Sequence, residues 1–264
     1  MDEIVEKLAE QTDGVLEKAY TDIVEPSAKP LGIMFSLLPR TIRLGLSKWE
    51  KWIINGEESL QLTAEALQEK VKKIPEEKQC EPEAYVAVPA IQQIAYCFNS
   101  EILRDMYANL LASSMNMDKK WEVHPSFVDI IKQITPDEAK LLKIFPRNSG
   151  RYIAVMDLKI NLENGKGEQT IARNIVDEPF YKICDVPDNM SSYLENLCRL
   201  KIIEIPEDLH ITEDKYYSKI ENSQRVLNLK EKSLDEGNTY ICSKKLLYVT
   251  DFGIAFAQCC IDEQ

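Results

Sequence analysis

The sequence predicts a mainly α protein, α+β overall. An N-terminal multi-helix region is followed by a C-terminal winged-helix-like unit with a small antiparallel sheet and a long insertion. Three observations carry that prediction. Apolar residues recur at three- and four-residue steps through the first half, as at Leu60, Ala64, Leu67, Val71 and Ile74. Runs suited to strands, RYIAVMDLKI (151–160), KIIEI (201–205) and LLYVT (246–250), follow beyond residue 150. The 264 residues are 44% hydrophobic and 29% charged, which suits a sizeable core and not a disordered chain.

Taken in order, residues 2–24 place Ile4, Val5, Leu8, Val15, Leu16 and Ala19 on a helix that stops near Pro26. Residues 30–54 form a second helical region. Residues 57–74 form a third, with Glu57 and Glu58 early and Lys72 and Lys73 late, an order that suits the helix dipole. IPEEKQCEPE (74–83) is polar and bracketed by prolines, so it reads as a linker. AYVAVPAIQQIAYCF (84–98) is apolar on nearly every side and reads as a buried helix started or kinked by Pro89. In SEILRDMYANLLASSM (100–115), Ala108, Ala112 and Ser113 are small enough to let a neighbouring backbone come close.

The stretch VHPSFVDIIKQITPDEAKLL (123–142) has the ingredients of a catalytic site but the grammar of two capped helices. Thr135 and Glu138 form a capping box, with Pro136 at the first helical position. His124-Pro125 opens the preceding helix in a similar way. Pro136-Asp137 and Glu138-x-Lys140 mimic fragments of a metal-dependent nuclease motif, yet they overlap in one helical turn and cannot surround an ion.

Beyond residue 150, ENGKGEQ (163–169) supplies a turn after the first strand, with Gly165 and Gly167 at a hairpin tip. Asp188 and Asn189 are positioned to cap a helix over MSSYLENLCRL (190–200). Residues 206–239 are polar and poorly patterned, with one helix expected near KYYSKIENSQRVLNLKEK. Thr250 caps a closing helix, DFGIAFAQCCI. The organisation is therefore 1–80, helices including a basic segment at 29–55; 81–134, an apolar helical core; and 135–264, the winged-helix-like unit with its insertion at 206–245.

The net charge of −12 disfavours nucleic-acid binding, which needs a clustered positive footprint. Seven cysteines without a C-x-x-C pair read as reduced thiols in a cytoplasmic protein. The acidic, amphipathic start is unlike a signal peptide, and no window is apolar enough for a spanning helix. The two histidines, His124 and His210, lack partners at metal-ligand spacing, and no nucleophile elbow or phosphate loop occurs. Neither a catalytic residue, a metal site nor a cofactor is expected.

One segment departs from this background. KPLGIMFSLLPRTIRLGLSKWEKWIIN (29–55) holds Lys29, Arg40, Arg43, Lys48 and Lys51 against Glu50 alone. On a helix, Leu31, Met34, Phe35, Leu38, Ile42, Leu46, Trp49 and Ile53 make one stripe, with Arg40, Arg43 and Lys51 opposite and Trp49 and Trp52 at the boundary. That pattern fits a helix lying on an anionic membrane surface. It equally describes a helix packed on its own domain or on a protein partner, the more frequent use of such a pattern, and Pro39 would divide it. In the winged-helix-like unit, Arg199 and Lys201 mark a helix face for a partner, more suited to protein than to DNA because Glu195 shares it and the wing is so long.

The run VPAIQQIAYCFNSEILRDMYANLLASSMNMDKKWEVHPSFVDIIKQITPDEAKLLK (88–143) resembles the Abi-alpha (abortive infection alpha) family. So do SYLENLCRLKIIEIP (192–206) and YVTDFGIAFAQCC (248–260), with looser similarity over AKPLG (28–32). The resemblance implies a bacterial protein of phage defence, without catalytic residues to carry over. The expectation is a non-enzymatic defence protein acting through membrane or protein contacts, peripheral at the inner membrane face in the membrane case. The alternative is a regulatory or adaptor module that binds a protein or nucleic-acid partner through the winged-helix-like unit. The oligomeric state stays open.

Overall fold

The computed structural model describes residues 50–94, 96–97, 99–146, 152–161, 167–232 and 239–262, the side chains of 50–58 excepted. The helix expected at 2–24, the segment 29–49 and most of the turn at 163–169 lie outside them. The chain is mainly helical, α+β overall. Its described residues fall into two compact units, one reaching Gln133 and including those from Gln258 onward, the other Ile134–Ala257.

In the first unit, α1 (Glu50–Lys72) packs against α2 (Ala84–Ile94) and α3 (Glu101–Ser114), and α4 (Ser126–Gln133) follows. The stripe Leu60, Ala64, Leu67, Val71 and Ile74 is buried as its spacing predicts. α1 runs unbroken from Glu50, so the two helical regions expected on either side of Asn55-Gly56 join there. Residues 74–83 are more than a linker. They hold a 3₁₀ turn at Glu76–Lys78, and Gln79 Nε2 donates to the carbonyl of Ile74 at 2.9 Å near the end of α1. α2 is buried along Val86, Ala87, Ala90, Ile91 and Ile94, as the buried helix expected at 84–98 requires, but it ends at Ile94, and Tyr85 and Tyr96 face solvent.

Helix C-termini leave carbonyls without intrahelical donors, and α3 and α1 supply side chains that meet them. Asn109 Nδ2 donates to the carbonyl of Cys260 at 3.1 Å and Ser113 Oγ to that of Cys259 at 3.0 Å. These are the last residues of the closing helix, α10 (Asp251–Cys260). Ser59 Oγ does the same for Ile94, the end of α2, at 2.7 Å. The small residues of α3 thus admit a close neighbour, as expected, and the polar ones among them terminate it.

The second unit holds α5 (Pro136–Ile144), β1 (Ile153–Asn161), β2 (Glu168–Ile175), α6 (Glu178–Lys182), α7 (Met190–Arg199), β3 (Ile203–Glu204), α8 (Asp214–Glu221), α9 (Gln224–Lys232), β4 (Thr239–Val249) and most of α10. Its sheet is antiparallel with order β2-β1-β4-β3. The first strand pairs with the last, and the last with the short third one. β2 and α6 add to the elements expected from sequence. The 206–245 insertion is also more ordered than its polarity suggests. It contains two helices and the first half of β4, and Tyr217, Ile220 and Val226 bury against Ala154, Met156 and Leu158 of β1. Tyr217 Oη donates to the carbonyl of Lys245 at 2.7 Å and accepts from the amide of Ile211 at 2.9 Å. One tyrosine hydroxyl therefore ties α8 to β4 as a donor and to the chain at Ile211 as an acceptor.

Candidate functional site

The run Thr135-Pro136-Asp137-Glu138 builds the densest polar junction of the second unit. The capping box is present: Thr135 Oγ1 accepts from the amide of Glu138 at 3.2 Å, and Glu138 Oε2 accepts from the amide of Thr135 at 2.5 Å. Pro136 needs no acceptor at the first position of α5. The second carboxylate oxygen of Glu138 accepts from Asn196 Nδ2 on α7 at 2.7 Å.

Asp137, one residue earlier, is buried and accepts four hydrogen bonds. Oδ1 takes the amide of Asp185 at 2.9 Å and the Lys140 ammonium at 3.0 Å; Oδ2 takes the amide of Val186 at 2.9 Å and the Tyr193 hydroxyl at 3.1 Å. Burial pushes its carboxyl group up, but the two amides, then Lys140 and Tyr193, outweigh that and hold it below the ordinary aspartate value. Both oxygens of each acid are therefore engaged by protein donors. They work as ties between α5, the 182–186 loop and α7.

A second polar group sits in the sheet. β2 carries an extra residue opposite Asp157, a bulge that places Asn174 at φ +54°. Asp157 Oδ1 accepts from the amide of Asn174 at 2.9 Å, and Oδ2 pairs with Lys245 Nζ at 2.9 Å. Lys245 also reaches Asn174 Oδ1 at 3.4 Å and Glu207 at 3.6 Å, so each of its three N–H bonds has an acceptor nearby. Such a buried pair is stable only when satisfied in this way.

Arg40, Arg43 and Trp49 lie outside the described residues. Lys51 and Trp52 lie on α1, and their side chains are outside the described ones. Arg199 and Lys201 come together at the end of α7. Arg199 Nε and Nη2 donate to Asn196 Oδ1 at 3.0 and 2.7 Å, and Lys201 Nζ lies 3.4 Å from Glu204. Lys201 occupies φ +60° because it closes the helix: its amide bonds the carbonyl of Cys198 at 2.9 Å, and that of Ile202 bonds Leu197 at 3.1 Å. Glycine adopts that conformation without penalty. Lys201→Gly is expected to raise stability by about 0.5–1 kcal/mol, read as a higher urea midpoint at unchanged slope.

His124 is half of a helix start, with Nδ1 accepting from the amide of Ser126 at 3.2 Å. Asp188 and Asn189 lead into α7 through a 3₁₀ turn, and no side-chain cap bond forms there, which corrects the expected cap. Burial pushes the thiols of Cys97, Cys184, Cys198 and Cys259 up to about 11 and that of Cys260 well above its ordinary value, away from the reactive thiolate. Among the described residues, no group of acids, cysteines and histidines could hold a metal ion, and no helix is long and apolar enough to cross a membrane.

Tyr193, Asn196, Asp157 and Lys245 are the residues that sequence reasoning missed. Lys245 and Asp157 left one signal, a charge of each sign inside an apolar strand. No curated protein and no solved structure matches the chain. A family model described as abortive infection alpha matches residues 55–260.

Proposed function

The chain belongs to the abortive infection alpha family, and on that premise we propose that it is a non-enzymatic defence protein whose basic amphipathic segment, 29–55, docks on an anionic membrane surface. The observation that carries this is the local charge. Five basic residues face one acid over 27 positions of a chain whose net charge is −12, and three of them, Arg40, Arg43 and Lys51, lie opposite an apolar stripe with Trp49 and Trp52 at its edge. Two structural features are consistent with it. Glu50–Lys72 is helical, so Ile53, the last position of the stripe, lies on a helix. The acids at 137–138 and the Lys245 group, two buried polar clusters of the second unit, are occupied in holding the fold together.

A basic residue near an anionic leaflet contributes about 1 kcal/mol of attraction, so reversing three charges is expected to weaken binding by at least roughly a hundredfold. The measurement is co-sedimentation with phosphatidylglycerol-containing vesicles and with pure phosphatidylcholine vesicles, comparing the wild type with Arg40→Glu, Arg43→Glu, Lys51→Glu. Binding to the anionic vesicles alone, lost in the triple variant, is the expected result. Equal binding by both proteins removes the electrostatic docking. Absence of binding by the folded wild type leaves a protein partner as the target of the segment.

A further inference from the structure

α9 presents Arg225, Asn228, Leu229 and Lys232 at steps of three and four, so they share one face. Opposite stand Glu178, the first residue of α6, and Asp188, in the 3₁₀ turn Pro187–Asn189. Between them lies an open cleft of about 450 Å³, within the range of small-molecule sites. Arg225 is fixed in its wall: its Cζ lies 4.2 Å from the centre of the buried Tyr181 ring, and Nη1 donates to Asp188 Oδ1 at 3.0 Å. Its Nε is shielded from solvent and beyond the reach of a ligand, but Nη2 has no acceptor among the described residues, so the protein does not saturate the outer edge of the guanidinium. A planar, stacked guanidinium with unused N–H bonds is preorganised for a carboxylate.

The charges of the cleft select among ligands. Arg225 and Lys232 balance Glu178 and Asp188. A phosphorylated ligand would bring two or more negative charges against two carboxylates, and a simple cation would meet the arginine and the lysine. A molecule carrying one charge of each sign satisfies both walls. We infer that this cleft binds a small zwitterion of the amino-acid class, its carboxylate on Arg225 with Asn228 and Lys232, its ammonium group on Glu178. Asp188, already engaged, holds the guanidinium in register, and Leu229 gives the apolar part of the ligand a surface.

The test uses the full-length protein and calorimetric titration with each proteinogenic L-amino acid. The best binder is then compared with its amine and carboxylic-acid analogues and with inorganic phosphate. Saturable binding is expected for at least one amino acid, weakened roughly tenfold or more by loss of either charged group. Arg225→Lys keeps the charge but removes the planar fork, and Glu178→Gln removes the ammonium partner at a half-exposed position. Each is expected to weaken binding roughly tenfold, Glu178→Gln at an unchanged urea midpoint. The inference is overturned by no saturation up to about 10 mM with any amino acid, by equal affinity for the analogues, or by preference for phosphate. Unchanged affinity in Glu178→Gln, whose fold is not at risk, overturns it as well.

Discussion

Asp137→Asn is expected to lower the stability of the second unit by about 3 kcal/mol, although it changes neither size nor shape. Every partner of this carboxylate is a donor: the amides of Asp185 and Val186, the Lys140 ammonium and the Tyr193 hydroxyl. An asparagine offers one acceptor and one NH₂ group. Whichever way its amide turns, the NH₂ faces a backbone N–H that cannot reverse its role. The Tyr193 hydroxyl can rotate to accept; the amides of Asp185 and Val186 cannot. Tyr193→Phe, which removes one donor and leaves the other three bonds, is expected to cost about 1 kcal/mol. Chemical denaturation of the three proteins checks both the size and the order.

The same carboxylate makes a pH prediction with a definite sign. Its folded-state pKa lies below its ordinary value, because the four donors outweigh the burial that pushes it up. A depressed folded pKa stabilises the protein above the unfolded aspartate value, about 4, and that stabilisation is lost as pH falls through the folded value. The gap between wild type and Asp137→Asn should therefore be full near pH 6 and narrow steadily below about pH 4. A gap that stays constant from neutral to strongly acidic pH would show that the charge on Asp137 plays no part.

What the sequence revealed about this junction was its local half. The capping box spans four residues, and the donor and the acceptor are both in the string Thr135-Pro136-Asp137-Glu138. The same is true of Thr250, which caps α10 by accepting from the amide of Gly253 at 2.9 Å, and of the Leu60–Ile74 stripe. Of the four partners of Asp137, Lys140 is three residues along the helix, but the other three are 48, 49 and 56 residues away, and no periodicity points to them. β2 escaped because its first half is exposed or half-buried and only its last two residues are buried, so EQTIARNI shows no clean alternation. The insertion helices are eight and nine residues long, too short for their few buried positions to stand out from polar neighbours. Arg199 and Lys201 were visible as charges, but the hydrogen bonds to Asn196 and the left-handed turn that give them their places were not. The cleft around Arg225 is assembled from three separate elements, and its acids and bases look like ordinary surface charges in the string.

Gly253→Ala is expected to be destabilising by about 3 kcal/mol, against the direction that helix propensity alone predicts. Inside a helix, alanine is favoured over glycine by about 1 kcal/mol, and DFGIAFAQCC would seem to invite the change. The backbone of α10 forbids it. A Cβ on Gly253 would lie 2.0 Å from the carbonyl oxygen of Ile202 and 2.9 Å from Val249 Cγ1. Ile202 O is not free to move away, because it accepts from the amide of Thr250 at 3.0 Å while Thr250 Oγ1 donates to Lys201 O at 2.6 Å. Relieving the clash means lifting the first turn of α10 off β3 and breaking its cap. Val249→Ala should fail to rescue the variant, since the closer contact is with backbone. Ala255→Gly, two residues along the same helix, should cost only the propensity difference, about 1 kcal/mol. Urea denaturation of the three variants separates the two effects: if Gly253→Ala is as stable as the wild type, the close approach of α10 to Ile202 does not exist in solution.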